Sequence, residues 1–146
     1  MRCLILDDDP SARILMETLI RDAGHIAMTC ANLIEAAQAV AEMRFDVAIV
    51  DMELEDSTGG GAIQTIRHIA PHIKILVVSG HDDKSHVLEA LDAGADGYLV
   101  KDEIGDSLAT SLQEVRAGNT PLSPRVASVV LRELRRGNEL KRAAGD

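Results

Sequence analysis

Apolar residues recur along this chain in two rhythms. Short, nearly continuous apolar runs at Arg2 to Leu6, His25 to Thr29, Val47 to Val50, Ile73 to Val78 and Gly97 to Val100 read as strands buried on both faces of a parallel sheet. Between them the apolar positions recur at i, i+3, i+4 and i+7, the spacing of one helix face. Ala12, Leu15, Met16, Leu19, Ile20 and Ala23 form the first stripe, and Leu33, Ala36, Ala37, Val40 and Ala41 the second. Ala62, Ile63, Ile66, Ile69 and Ala70 form a third, Val87, Leu88 and Leu91 a fourth, and Ile104, Leu108, Leu112 and Val115 a fifth. Five strand-then-helix units in series predict an α/β fold: a (βα)5 doubly wound, five-stranded parallel sheet.

Punctuation agrees with the rhythm. Asp9 before Pro10 has the form of an N-cap followed by proline at the first helical position, and Gly24 and Gly94 stand where helices close. The triplet Gly59, Gly60 and Gly61 lacks a phosphate-loop pattern and reads as a flexible lead-in to the third helix. After Gly118 the segment from Asn119 to Pro124 interrupts the pattern, and Ser123 with Pro124 restarts a helix. That helix carries Val126, Val129, Val130 and Leu134 on one face and is expected to stop at Gly137. It is an extra element, able to pack on the preceding sheet or to pair with a second copy as a homodimer.

Charge sharpens this division. The net charge is −9, but residues 119–146 hold six basic against three acidic side chains, while the preceding residues hold nine against twenty-one. The expected organisation is therefore one domain over residues 1–118, followed by a linker and helix over residues 119–146. A chain of 146 residues can bury about 70% of the surface its unfolded form exposes, enough for a core without staples. No apolar run approaches the ~20 residues a membrane span requires, so no membrane role is expected. Cys3 and Cys30 both sit in apolar runs and no leader is evident, which reads as a cytoplasmic protein with reduced thiols.

In a doubly wound sheet the chemistry lies just past the carboxyl ends of the strands, where strand order reverses. Asp7 and Asp8 follow the first strand, Asp51 the third, Ser79 the fourth and Lys101 the fifth. Clustered carboxylates are hard oxygen ligands suited to Mg²⁺, which offsets their repulsion and keeps them ionised. A carboxylate held beside a cation, a lysine and a hydroxyl can attack a phosphoryl group, since the cations neutralise charge on the transferring oxygens. Helix capping alone would account for one of the aspartates Asp7, Asp8 and Asp9, not for three.

The stretches LILDDDP, VAIVDMELEDSTGG, ILVVSGHDD and GADGYLVKD, in this order, together resemble the receiver domain of two-component response regulators. The resemblance covers residues 2 to about 118. It implies a CheY-like, flavodoxin-like fold in which Asp51 accepts a phosphoryl group from the phosphohistidine of a sensor histidine kinase. Asp7, Asp8, Asp51 and the backbone carbonyl of Glu53 would hold Mg²⁺, Ser79 and Lys101 would bind the phosphate, and Ser79 with Tyr98 would form the switch. Such a domain is a signalling switch rather than an enzyme, although Mg²⁺-dependent self-phosphorylation and autodephosphorylation occur on it.

The chain also departs from the family pattern. Where most receivers have proline, four residues after Asp51, it has Glu55, and Glu53, Glu55 and Asp56 place three acids beside the site. Asp102 replaces the frequent proline after Lys101, as in many NarL/FixJ-type members, and GNTPLSP resembles the same subfamily. Glu53 and His81, each two residues beyond a site residue, flank the expected water path and are candidates for setting the lifetime of the aspartyl phosphate. Ile14 lies off the buried stripe and is a candidate kinase contact. The histidines at 25, 68, 72, 81 and 86 show no metal-ligand spacing.

Residues 119–146 are too few for a DNA-binding module with its own core, so DNA contact and control of transcription are expected only through an effector absent from these residues. Two other readings compete. Asp7, Asp9 and Ser11 also fit the DxDx[TSV] motif of haloacid-dehalogenase-like phosphatases, with Asp7 as nucleophile and Asp9 as general acid. A pseudo-receiver that signals without phosphorylation is the other.

Overall fold

The structure, a computed structural model, describes residues 1–145. Five strands, β1 (Arg2–Leu6), β2 (Ile26–Cys30), β3 (Val47–Val50), β4 (Lys74–Ser79) and β5 (Gly97–Val100), form one sheet. They alternate with α1 (Pro10–Asp22), α2 (Leu33–Glu42), α3 (Gly59–Ile69), α4 (Lys84–Asp92) and α5 (Leu108–Arg116), and α6 (Pro124–Gly145) is the extra helix. All strand pairs are parallel, in the order β2-β1-β3-β4-β5. The chain moves outward from β1 to β2 and then returns past β1 to β3, so the strand order reverses between β1 and β3. Pairing of Leu6 with Val50 and of Val50 with Val77 brings the ends of β1, β3 and β4 side by side.

Alternation along each central strand builds two cores. Leu4 and Leu6 join the cluster under α2, α3 and α4, whereas Cys3 and Ile5 join the one under α1 and α5. Burial of each such aliphatic side chain contributes roughly 1.5–3 kcal/mol. The cysteines face opposite sides of the sheet, and burial pushes both thiols up to about 11, so neither is a reactive thiolate at neutral pH.

Several expectations shift. Strands β2 and β4 each start and end one residue later than the apolar runs suggest. β2 is an edge strand with Ile26 and Met28 exposed, so burial on both faces holds for the central strands and not for it. Leu15 is 48% exposed, off the core stripe of α1 that Met16 and Ile20 anchor. Ile104 closes a 3₁₀ turn over Lys101–Glu103, and α5 begins at Leu108.

The glycine triplet is no flexible lead-in. It forms the first turn of α3, capped by Thr58, whose side chain accepts from the Gly61 N–H at 3.0 Å. A Cβ on Gly59 would stand 2.5 Å from Met52 Cα, so a close backbone approach requires glycine there.

Nor does α6 stop at Gly137. A glycine ends a helix by entering the left-handed region, as Gly24, Gly94 and Gly118 do, and Gly137 does not. The run after it, Glu139 to Ala144, consists of good helix formers that offset the cost of one internal glycine, about 1 kcal/mol.

The segment expected as a linker runs beside β5 and meets it in an isolated parallel bridge between Leu122 and Tyr98. Tyr98 N–H donates to Pro121 O at 2.9 Å, Ser123 N–H to Tyr98 O at 3.0 Å, and Val100 N–H to Ser123 Oγ at 3.0 Å. Pro121, which has no N–H, is accommodated because only its carbonyl is used. A Cβ on Gly97 would stand 2.7 Å from that carbonyl. The first turns of α6 then pack on α4 and β5, with Val126 fully buried.

Candidate functional site

The chain turns out of β1, β3, β4 and β5 at one edge of the sheet, and these ends deliver Asp7 and Asp8, Asp51, Ser79 and Lys101 in that order. Asp7 is fully buried directly after β1; its Oδ1 accepts from the Asp9 N–H at 2.9 Å, and its backbone carbonyl accepts from Arg13 Nη1 at 2.8 Å. Asp8 is half-buried beside it. Asp9 is exposed, its side chain accepting from the Ser11 N–H at 3.1 Å as the N-cap of α1.

Asp51 follows β3 and is buried, with its Oδ1 accepting a long bond from the Glu53 N–H at 3.4 Å. Lys101 reaches back from the end of β5. Its Nζ lies 2.8 Å from Asp7 Oδ2 and 3.2 Å from Asp51 Oδ2. The contact with Asp51 is a hydrogen bond, and that with Asp7 is an ion pair off the hydrogen-bonding direction. Asp7 Oδ2 is thus a buried carboxylate oxygen with no hydrogen-bond donor.

Burial, and then the charge of Asp7, raise the Asp51 carboxyl above its ordinary range, and Lys101 opposes both. For Lys101 burial favours the neutral amine, but the two carboxylates more than offset it and hold the ammonium charged. One oxygen from each of Asp7, Asp8 and Asp51 lies within 4.8 Å of the others. Three hard oxygen donors, one of them buried and without a donor of its own, fit Mg²⁺ or a similar cation.

Ser79 ends β4 fully buried, with its Oγ accepting from the His81 N–H at 3.1 Å. Tyr98 is also fully buried, and its hydroxyl donates to the His81 carbonyl. Burial pushes that phenol up to about 12, so it remains a donor at any physiological pH. The β4–α4 loop thereby ties Ser79 and Tyr98 together through one residue.

Of the acids that the sequence crowds beside the site, Asp56 is used elsewhere, accepting the Leu33 N–H at the start of α2. Glu55 is exposed. Glu53 is exposed too, and its Oε1 sits 2.9 Å from His81 Nε2 and 3.4 Å from His86 Nε2. Ile14, 66% exposed, lies on α1 in the helix that Asp9 caps.

Three participants were not legible in the sequence. Arg13 supports the Asp7 backbone, Asp83 caps α4 and bonds His86, and Arg125 of α6 bridges Asp82 at 3.1 Å to Asp102 at 2.7 Å and Glu103 at 3.1 Å. Only the spacing HDDKSH held a signal for the second, and it requires knowing where α4 begins.

Known proteins resemble this chain in sequence and fold. The family model described as response regulator receiver domain matches residues 3–113. The transcriptional regulatory protein LnrK of Bacillus subtilis is 28% identical over 143 residues, covering 97% of this chain and 65% of its own length. The chain thus spans about two thirds of that regulator. The chemotaxis protein CheY of Thermotoga maritima is 34% identical over 101 residues, covering 68% of this chain and 84% of that protein. A solved LuxR-family two-component response regulator from Aurantimonas superposes with a TM-score of 0.83 at 28% identity, covering 90% of this chain and 96% of that one.

Proposed function

The chain belongs to the response regulator receiver domain family, and from that premise we propose that Asp51 is the residue through which it is switched. The fold is CheY-like with an extra C-terminal helix, and transcription regulators are among its relatives. Receiver domains of response regulators work with histidine kinases, and in relatives with DNA-binding effector domains. The observation that carries the proposal is the Lys101 ammonium held between Asp7 and Asp51 at the ends of adjacent strands.

In this reading an Asp51 oxygen attacks the phosphorus of a kinase phosphohistidine as the P–N bond breaks, and the released imidazole takes up a proton. Asp7, Asp8 and Asp51, with the Glu53 backbone carbonyl, would hold Mg²⁺, which supplies neutralisation of charge on the transferring oxygens. Lys101 is close enough to exchange its contact with Asp51 for the new phosphoryl oxygens, and Ser79 Oγ donates to them from the end of β4. Drawing Ser79 toward the phosphate moves the loop whose His81 carbonyl holds the Tyr98 hydroxyl, so the ring reports the modification to β5 and the segment paired with it. The output is a changed contact with a partner, whether a second copy or an effector that acts on DNA.

The setting is taken to be the cytoplasm; among the described residues no helix is long and apolar enough to cross a membrane. The phosphatase reading needs Asp9 as a general acid, and the cap it provides to Ser11 weighs against that role.

Intact-mass spectrometry after incubation with Mg²⁺ and acetyl phosphate tests the proposal. A gain of one phosphoryl group that a chelator prevents is expected; no gain would leave the pseudo-receiver.

Two finer assignments carry their own tests. Glu53 and His81, two residues beyond Asp51 and Ser79, pair with each other at 2.9 Å, and in this reading they flank the water path, so replacing both with alanine should change the autodephosphorylation rate by about tenfold; an unchanged rate removes them from that role. Ile14→Glu should slow transfer from the cognate kinase by about tenfold while leaving the acetyl phosphate reaction intact, as a docking contact requires. Equal effects on both donors would count against docking.

A further inference from the structure

Beside the aspartate cluster stands a second group of ligating side chains with a different chemistry. His81, in the β4–α4 loop, and His86, in the first turn of α4, stack with ring centroids 4.2 Å apart and planes 12° from parallel. Both turn Nε2 toward Glu53 Oε1, at 2.9 and 3.4 Å. Both turn Nδ1 toward Asp83, whose Oδ1 lies 2.8 Å from His86 Nδ1 and 3.9 Å from His81 Nδ1. Two imidazoles are therefore held between two carboxylates, with one carboxylate on each side.

We propose that Glu53, His81 and His86 form a binding site for a divalent cation of the zinc class, distinct from the aspartate cluster. The donor set is two imidazole nitrogens and one carboxylate oxygen, which suits zinc and its neighbours and not Mg²⁺. Bonds of about 2.0–2.2 Å in a tetrahedral arrangement place neighbouring donors roughly 3.3 Å apart, and the two Nε2–Oε1 separations bracket that value.

Asp83 supplies what lies behind the ligands. Its bond to His86 Nδ1 holds the ring so that Nε2, once its proton is displaced, is offered on the Glu53 side, the carboxylate–histidine arrangement common at zinc sites. Without a metal the contact with Asp83, and then the charge of Glu53, favour the protonated imidazole of His86, so a divalent cation binds here in competition with that proton. The rings are nearly parallel, and a modest rotation about the soft Cβ–Cγ torsion of either partly exposed side chain makes the lone pairs converge. Three protein ligands leave a fourth position for water or an exogenous donor. Binding at this site does not require phosphorylation at Asp51, although both involve Glu53 and the loop that carries His81.

The test titrates the full chain, saturated with Mg²⁺ so that the aspartate cluster is filled, with Zn²⁺. Calorimetry gives stoichiometry and affinity, and ¹⁵N NMR of the histidine rings gives location. One Zn²⁺ per chain is expected, with Nε2 of His81 and His86 shifted and the rings of His25, His68 and His72 unmoved. His86→Ala should weaken the affinity by about a hundredfold or more. Asp83→Asn, which preserves a residue able to cap α4, should weaken it by about ten- to a hundredfold. Both variants should unfold thermally within a few degrees of the parent, since Asp83 is exposed and the partly exposed His86 lies outside the buried core. An affinity that is unchanged in His86→Ala, or ring shifts confined to His68 and His72, would overturn the site.

Discussion

The Asp51→Asn variant is expected to gain no phosphoryl group at all, at any Mg²⁺ or phosphodonor concentration. An amide of the same shape keeps one of the two accepting positions, the one toward the Glu53 N–H, and gives up the bond from Lys101, while its nitrogen and carbonyl are too weakly nucleophilic to form a stable bond to phosphorus. Lys101 keeps its other partner, Asp7. The fold should survive and become more stable. Because burial and Asp7 raise the Asp51 carboxyl, the folded state holds its proton more tightly than the unfolded one. The stability that this protonation contributes is present below the unfolded carboxylate pKa and is lost as pH rises through the higher folded value. At neutral pH, without a divalent cation, the ionised group therefore opposes folding, and asparagine relieves it. Thermal melts of parent and variant in chelator should show a higher midpoint for Asp51→Asn at pH 7 and a smaller difference near pH 4. The reverse order would mean that Lys101 outweighs burial at this site.

Asp7→Asn is expected to act on the same reaction through the metal. It removes one charge from three clustered carboxylates, and the lost oxygen is the one that lies buried without a hydrogen-bond donor. The Mg²⁺ affinity should fall by about tenfold or more, since the charge count of the ligands sets the affinity of a hard cation. Phosphorylation from acetyl phosphate should slow at low Mg²⁺ and recover in part as Mg²⁺ is raised. That recovery separates the variant from Asp51→Asn, which no cation rescues. An unchanged Mg²⁺ dependence would place the cation elsewhere.

The sheet and its working edge were legible because parallel strands buried on both faces must be almost wholly apolar. The first polar residue after each run then marks where the chain leaves the sheet. Asp7, Asp51, Ser79 and Lys101 were found in that way, and the structure brings them to one edge. Pattern failed where a residue's neighbour lies far along the chain. Gly59 looked flexible because Met52, which requires its missing side chain, is not adjacent to it in sequence. Leu15 looked buried because its spacing is correct, while Met16 and Ile20 are the residues that face the core. The pairing of Tyr98 with Pro121 and Ser123 has no periodicity to announce it, so the bridge that this segment makes to β5 was not legible. His86 reaches His81 only because α4 begins at Lys84 and turns it back over the loop. Helix α6 outran its expected end because an internal glycine costs about 1 kcal/mol, which favourable neighbours offset.

The most direct test of Asp51 as phosphoacceptor is chemical trapping of the modified residue. An aspartyl phosphate is an acyl phosphate, which borohydride reduces to homoserine, whereas a free carboxylate is untouched. After incubation with Mg²⁺ and acetyl phosphate, reduction and peptide mass mapping should place a single homoserine at position 51. Homoserine at position 7 would instead establish the phosphatase-like nucleophile, and its absence from both positions would contradict phosphorylation of this chain.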